Sequence, residues 1–245
     1  MNDSIPDATG DAPPLELLYH DDALVVVNKP PGIAVHRSNL IGADADYVID
    51  RLRLQVPGTL YLAHRLDRAT SGVLLVARSR EIAAQLGQQL MDRKVDKSYL
   101  AIVRGWPDEE GCIDYPLTGS SLKGEPKEAR TRWRRLATVE LPIEMGRYPQ
   151  QRYALLQVEP ETGRYQQIRR HFAHIHHPLI GDTTHGRGDH NRLFRIHYAM
   201  HRLLLHARML GFAHPIDGAR IEIRADIDDA WQRVLQAFDW ELGDA

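Results

Sequence analysis

The chain has 245 residues, 43% hydrophobic and 26% charged, the balance of an ordinary globular protein with room for one large domain or two small ones. No apolar run is long enough to span a bilayer, and no positively charged leader precedes an apolar segment. The single cysteine, Cys112, excludes an internal disulfide and a cysteine-based metal site, and the formal charge of −2 carries no overall basic excess. A cytoplasmic protein is expected.

Residues 1–14, with Pro6, Gly10, Pro13 and Pro14, lack periodicity and are expected to form a flexible extension, with 15–245 a single domain. Leu15 to Tyr19 and Ala23 to Asn28 read as strands, the second ended by the turn Lys29-Pro30-Pro31-Gly32. Val48, Leu52 and Val56 repeat at helical spacing. An apolar stretch from Leu60 is broken by His64-Arg65-Leu66-Asp67-Arg68 and resumes at Val73 to Ala77. Ile82, Leu86 and Leu90 mark an amphipathic helix with Ser79 as its N-cap. Lys97 to Arg104 alternates as a strand, whereas the strands and loops between Gly105 and Tyr153 resist placement.

Tyr153 to Val158 reads as another strand, turned by Glu161-Thr162-Gly163. Ile168, Phe172 and Ile175 give a helical face that Pro178 stops. Leu203 to Phe212 and Ile221 to Ile223 flank a hairpin turn at Pro215 to Gly218, and Trp231, Val234, Leu235 and Phe238 close the chain with a helix. Many strands with few helical crossovers predict an α+β fold, a mixed, mainly antiparallel sheet with peripheral helices.

The segment from His64 to Gly72 carries the chemistry. It sets one carboxylate, Asp67, between Arg65 and Arg68 on a loop between hydrophobic segments, which suits a nucleophile that must be charged at neutral pH. A salt bridge that merely fixes a loop is the plain alternative. Acids gather at both ends of the chain and arginines in the middle, at Arg130, Arg132, Arg134 and Arg135 and again at Arg164, Arg169 and Arg170. Such clusters are commonly solvated faces, so they permit a nucleic-acid partner without demanding one. His171 and His174 could share a helical face and ligate zinc, but no carboxylate lies between them at a metalloprotease-like position. Neither a phosphate-binding glycine loop nor a paired-cysteine metal motif is present.

His64 to Gly72 resembles the signature segment of the RluA-type pseudouridine synthases. Asn28-Lys29-Pro30-Pro31-Gly32, Val35-His36-Arg37-Ser38, Lys97-Ser98-Tyr99, Pro160 to His171, His177 to Asp182 and Arg202 to Ala207 resemble further segments, in the family's order, from about Leu15 to Arg224. The resemblance implies the pseudouridine synthase fold with a central RNA-binding cleft and isomerisation of a uridine in structured RNA, with no cofactor and no metal. It implies Asp67 as nucleophile, Arg169 as its ion-pair partner, and Tyr99 against the base as acid or base. Arg65 would fill the gap left by the flipped nucleotide, with His64, Arg68, Thr70, Arg164, Gln167 and Leu204 (or Leu205) completing the substrate site.

His36-Arg37-Ser38, Arg104-Gly105-Trp106, Asp114-Tyr115-Pro116-Leu117, Gly146-Arg147-Tyr148-Pro149 and Arg152-Tyr153 are most similar to the branch that modifies uridine 65 of tRNA, in the acceptor/T-stem region. Ribosomal RNA is the alternative substrate. Arg132, Arg134, Arg135, Arg147 and Arg152 are expected to contact phosphates. One departure stands out: the family's usual histidine is replaced by Gln166, which hydrogen-bonds but does not titrate. An inactive RNA-binding protein is the reading that this departure would favour.

Overall fold

Alternation of apolar side chains decides which way each strand faces. In the computed structural model of the protein, residues 13–36, 46–120 and 124–243 are described. In chain order the elements are β1 (Glu16–His20), β2 (Leu24–Lys29), α1 (Val48–Gln55), β3 (Tyr61–Leu62), β4 (Ser71–Ala77), α2 (Arg80–Met91), β5 (Asp96–Arg104) and β6 (Glu110–Asp114). They continue with β7 (Arg130–Leu141), β8 (Gln151–Pro160), α3 (Gln167–His174), α4 (Gly188–Tyr198), β9 (Leu205–Ala213), β10 (Arg220–Arg224) and α5 (Asp229–Ala237). Among the described residues the strands form one ten-stranded sheet in the order β1-β2-β4-β9-β5-β8-β7-β6, with β10 on β9 and β3 on β4. Every one of these strand pairs is antiparallel except β4–β9. The fold is the α+β arrangement that the strand-rich sequence predicts.

The central strands are buried on both faces, which is why β2 and β4 read as continuous apolar runs. One face buries Val25, Val27, Leu74 and Val76 against α1, and further along it Ala101, Val103, Leu156 and Val158 against α3. The opposite face buries Val26, Val73 and Leu75 against α2, and Leu100, Ile102, Tyr153 and Leu155 against α4 and α5. Truncating one of these leucines to alanine costs about 2–5 kcal/mol. The expected Ser79 cap is formed, its hydroxyl accepting from the Ile82 N–H at 3.2 Å, and Asp228, not singled out in the sequence, caps α5 by accepting from the Trp231 N–H at 3.0 Å.

Three differences from the sequence reading have physical causes. The unplaced middle is the β6–β7–β8 meander, in which β7 carries arginines where a core strand would carry apolar side chains. Helix α4 has no counterpart in the sequence reading; it opens on Gly188, exposes Ile196, and buries only His190, Leu193 and Phe194. The apolar stretch expected before Asp67 forms only the two-residue, half-buried β3. Residues 1–12 of the expected extension, and Arg37 and Ser38, lie outside the described residues.

Candidate active site

The loop from Ala63 to Thr70 is held in shape by backbone contacts. The Thr70 N–H donates to the Asp67 carbonyl at 3.1 Å, and the Gly32 N–H donates to the Arg68 carbonyl at 2.8 Å, returned by Arg68 Nε to the Gly32 carbonyl at 2.7 Å. Beneath them Lys29, fully buried, donates from Nζ to the carbonyls of Pro30, Ile33 and Arg68 at 2.8, 2.8 and 3.2 Å. Burial, then the nearby Arg202 charge, pulls the Lys29 ammonium down to about 7, while Asp67 acts in the opposite direction. The Lys-Pro-Pro-Gly turn of the sequence is thus the floor under the Asp67 loop.

Asp67 presents a partly exposed carboxylate, and its Oδ2 accepts from Arg169 Nη1 at 3.1 Å. Arg169 comes from the first turn of α3 and is buried. Its remaining edge is taken by Asp182, with Nε to Oδ2 at 2.7 Å and Nη2 to Oδ1 at 2.8 Å, a two-point fork. Asp182 is itself buried and accepts from the Thr184 and His185 N–H groups, both at 2.9 Å. Gly181 sets its approach: at φ +79° a Cβ there would lie 1.9 Å from the Arg202 carbonyl oxygen, so only glycine fits. Burial alone would favour the neutral forms of both partners, yet the mutual bonds hold the Arg169 guanidinium up and the Asp182 carboxyl down. Asp182 is therefore a second anchor of Arg169, to which the sequence reading assigned no role. Its signal was the short Gly181-Asp182 pair after the Pro178 helix stop.

Tyr99 lies where α1's cluster and α3's cluster meet on one face of the sheet. The β5–β9 register slips between Ser98 and Tyr99, so Tyr99 pairs with Ala207. The slip passes over Arg208 of β9 in the register, while β5 keeps its alternation and sets Tyr99 on the face of Ala101 and Val103. Burial, and then the Asp67 charge, raises its hydroxyl well above the usual tyrosine range. The resting phenol is protonated and can donate.

The other expected site residues divide. Arg65 is exposed, with no hydrogen-bond or ion-pair partner among the described residues. Arg68 is exposed, with only its Nε committed to Gly32. Arg164 is half-buried and donates from Nε to the Glu128 carbonyl at 2.9 Å. Four others are buried or engaged by protein partners. His64 accepts at Nε2 from the Leu75 N–H at 3.0 Å, and burial with the Lys97 charge takes it down to about 4, making it a neutral brace of β4. Thr70 is buried. The buried Gln167 amide is filled by protein partners: it accepts from Thr162 Oγ1 and the Arg164 N–H and donates to the Arg130 carbonyl and Thr131 Oγ1. Leu204 packs with Leu100 and Ile102 on the sheet face opposite Tyr99, because side chains alternate; its neighbour Leu205 is on the Tyr99 face.

The same alternation sorts the arginines. Arg132 and Arg134 pair with Glu159 and Gln157, on the face away from Tyr99, whereas Arg135 and Arg152 pair with Leu156 and Glu140 on its own face. The histidine-rich stretch is occupied by protein contacts. His171 bonds Thr131 Oγ1 at 2.9 Å and the Tyr115 carbonyl at 3.0 Å through its two nitrogens, and His174 stacks on Tyr115 at 3.7 Å between centroids.

The family model for RNA pseudouridylate synthase matches residues 23–174, the span that holds Lys29, Asp67, Tyr99 and Arg169. Over 236 residues the chain is 45% identical to "tRNA pseudouridine synthase C" of Vibrio parahaemolyticus, covering 93% of this chain and 96% of that protein. A protein of the same name from Salmonella typhi is 45% identical over 235 residues, covering 92% and 90% respectively. The solved structure of human RNA pseudouridylate synthase domain containing 1 superposes with a TM-score of 0.68 at 25% identity, covering 92% of this chain and 94% of that one. Human RNA pseudouridylate synthase domain containing 4, at 22% identity and a TM-score of 0.71, shares the fold. The ordered motifs, the sheet and the family match agree, and the chain belongs to the RNA pseudouridylate synthase family.

Proposed function

We propose that the enzyme isomerises a uridine of tRNA, uridine 65 in the acceptor/T-stem region, with Asp67 as nucleophile. The observation that carries this reading is the Asp67–Arg169 pair at 3.1 Å beneath a loop floored by Lys29 and open to solvent, in a chain whose 45% identical relatives are named for tRNA. In the reaction the N1–C1′ bond breaks, the base turns, and C1′ rejoins at C5, whose hydrogen leaves as a proton. Asp67 promotes the cleavage by attack on, or charge stabilisation of, the sugar carbon. Arg169 keeps the carboxylate aimed, and Asp182 keeps Arg169 aimed. Tyr99, protonated at rest, lies against the base and passes protons during its turn. Arg65, exposed on the loop's edge, takes the place of the flipped nucleotide in the stack. None of these steps is oxidative or hydrolytic, and no cofactor is required. Among the described residues no helix is long and apolar enough to cross a membrane, and an RNA substrate favours the cytoplasm.

Tritium release from RNA labelled at uridine C5 tests the reading, comparing wild type with Asp67→Ala on bulk tRNA and ribosomal RNA. Release from tRNA that the substitution abolishes is the expected outcome. Release only from ribosomal RNA would move the enzyme to the other branch, and no release with binding intact would leave an RNA-binding protein.

A further inference from the structure

Gln166 is a non-glycine residue in the left-handed region, at φ 50° and ψ 35°, and it is the N-cap of α3. Such a conformation persists only where the surroundings hold it. The Gln166 side chain makes no capping bond of its own helix; its Oε1 instead accepts from His185 Nε2 at 2.8 Å. His185 is half-buried, and its own N–H is one of the two that Asp182 accepts. The contacts close a ring. Arg169 is forked onto Asp182, Asp182 holds the His185 backbone, the His185 ring holds Gln166, and Gln166 begins the helical turn that carries Arg169.

We propose that His185 is a positioning residue for the isomerisation, clipping the 182–185 loop to the strained start of α3 so that Arg169 stays aimed at Asp67. Burial favours the uncharged ring, against the attraction of Asp182 and Asp67 and with the repulsion of Arg169 and Arg170. A neutral ring that donates through Nε2 leaves Nδ1 bare and adds no charge to compete for Asp67. Because Arg169 reaches Asp67 through only one bond, at 3.1 Å, while two bonds hold it to Asp182, a small rotation of either segment is felt first at Asp67. The proposal deepens the reading of Asp67 and Arg169 as the reacting pair and rests on it.

The experiment is single- and multiple-turnover tritium release, with thermal unfolding of each variant in parallel. His185→Ala should lower kcat roughly ten- to a hundredfold with KM for RNA nearly unchanged, since misplacement of a reacting group by about 1 Å carries costs of that order. His185→Gln, which keeps an amide donor for Gln166, should recover most of the loss. Gln166→Gly retains the backbone conformation but removes the acceptor, so it should reproduce the His185→Ala defect. The double variant should then be no worse than either single one. Additive losses, a defect confined to KM, or a kcat loss that follows unfolding temperature and is not rescued by glutamine would each overturn the proposal. A wild-type enzyme with no release would instead overturn the underlying function.

Discussion

Arg169 divides one guanidinium between two carboxylates, and the division is unequal. Asp182 takes the two-point fork in a buried position, whereas Asp67 takes a single bond beside solvent. The fixed partner thus provides rigidity, and the exposed one is the proposed nucleophile. Asp182→Asn would leave a buried cation with half its compensation, and breaking such a pair costs about 3 kcal/mol or more. Urea unfolding should register that loss alongside a fall in kcat; a variant as stable and active as wild type would refute the anchoring role. At this scale Asp67 stood out by its flanking arginines, whereas Tyr99 and Arg169 stood out only through the resemblance of their segments to the family's. Asp182 and His185 were less legible, since each acts only through a neighbour distant in sequence. Thr70, Gln167 and His64 stand near Asp67 and Arg169 in the chain, but Thr70 is buried and the other two are bonded to protein partners.

Elements are joined at a narrow seam. The β4–β9 pairing, the one parallel pair among the described strands of the sheet, consists of Ser71 opposite His206 and Gly72 opposite Ala207. Gly72 has φ +107°, and a Cβ there would lie 2.2 Å from the Ala207 carbonyl oxygen. Gly72→Ala therefore combines an unfavourable backbone conformation with a backbone collision, and a loss of about 2 kcal/mol or more is expected. Because the seam adjoins the Asp67 loop and bears Ala207 opposite Tyr99, catalysis should fall with it. Denaturation midpoints and tritium release on the same preparation test this, and an unaffected midpoint would count against the seam. Helix α2 was legible from apolar spacing and its Ser79 cap and α5 from apolar spacing, whereas α4 was hidden because its buried side is a histidine, a leucine and a phenylalanine rather than a full stripe. The His190 ring bonds the Tyr153 hydroxyl at 2.9 Å, a contact visible only once β8 and α4 are packed together.

Across the whole molecule, the sheet decides which arginines share a face with Tyr99. Arg152 lies over the Trp106 ring at 4.4 Å and Arg147 over the Tyr148 ring at 5.1 Å, both at the β7–β8 turn end and both exposed. Arg152 keeps its Nε on Glu140 and faces the same way as Tyr99. Arg132 bonds Glu161 at 3.1 Å and Arg134 bonds Gln157 at 2.9 Å on the opposite face. RNA that enters at Asp67 should use the first pair. Replacing Arg147 and Arg152 by alanine should raise KM for tRNA and reduce the logarithmic salt slope by about one for each phosphate that is no longer neutralised. The Arg132→Ala, Arg134→Ala protein should bind as wild type; the reverse pattern would place the RNA on the other face.

The sequence by itself determined the strand-rich fold class, because turn residues, a capping serine and apolar alternation are local, and its ordered motifs carried the family resemblance that proposes Asp67 and Arg169 as a pair. Tertiary structure alone decided which predicted residues gather on one face of the sheet and which are taken up by protein partners. Strand alternation set Tyr99 and Leu205 on one face of the sheet and Leu204 on the other. The packing of α3 against the 182–185 loop then gave Arg169 its second carboxylate and Gln166 its histidine. Such contacts join segments separated along the chain, and their direction is set by burial and register, which no single segment encodes.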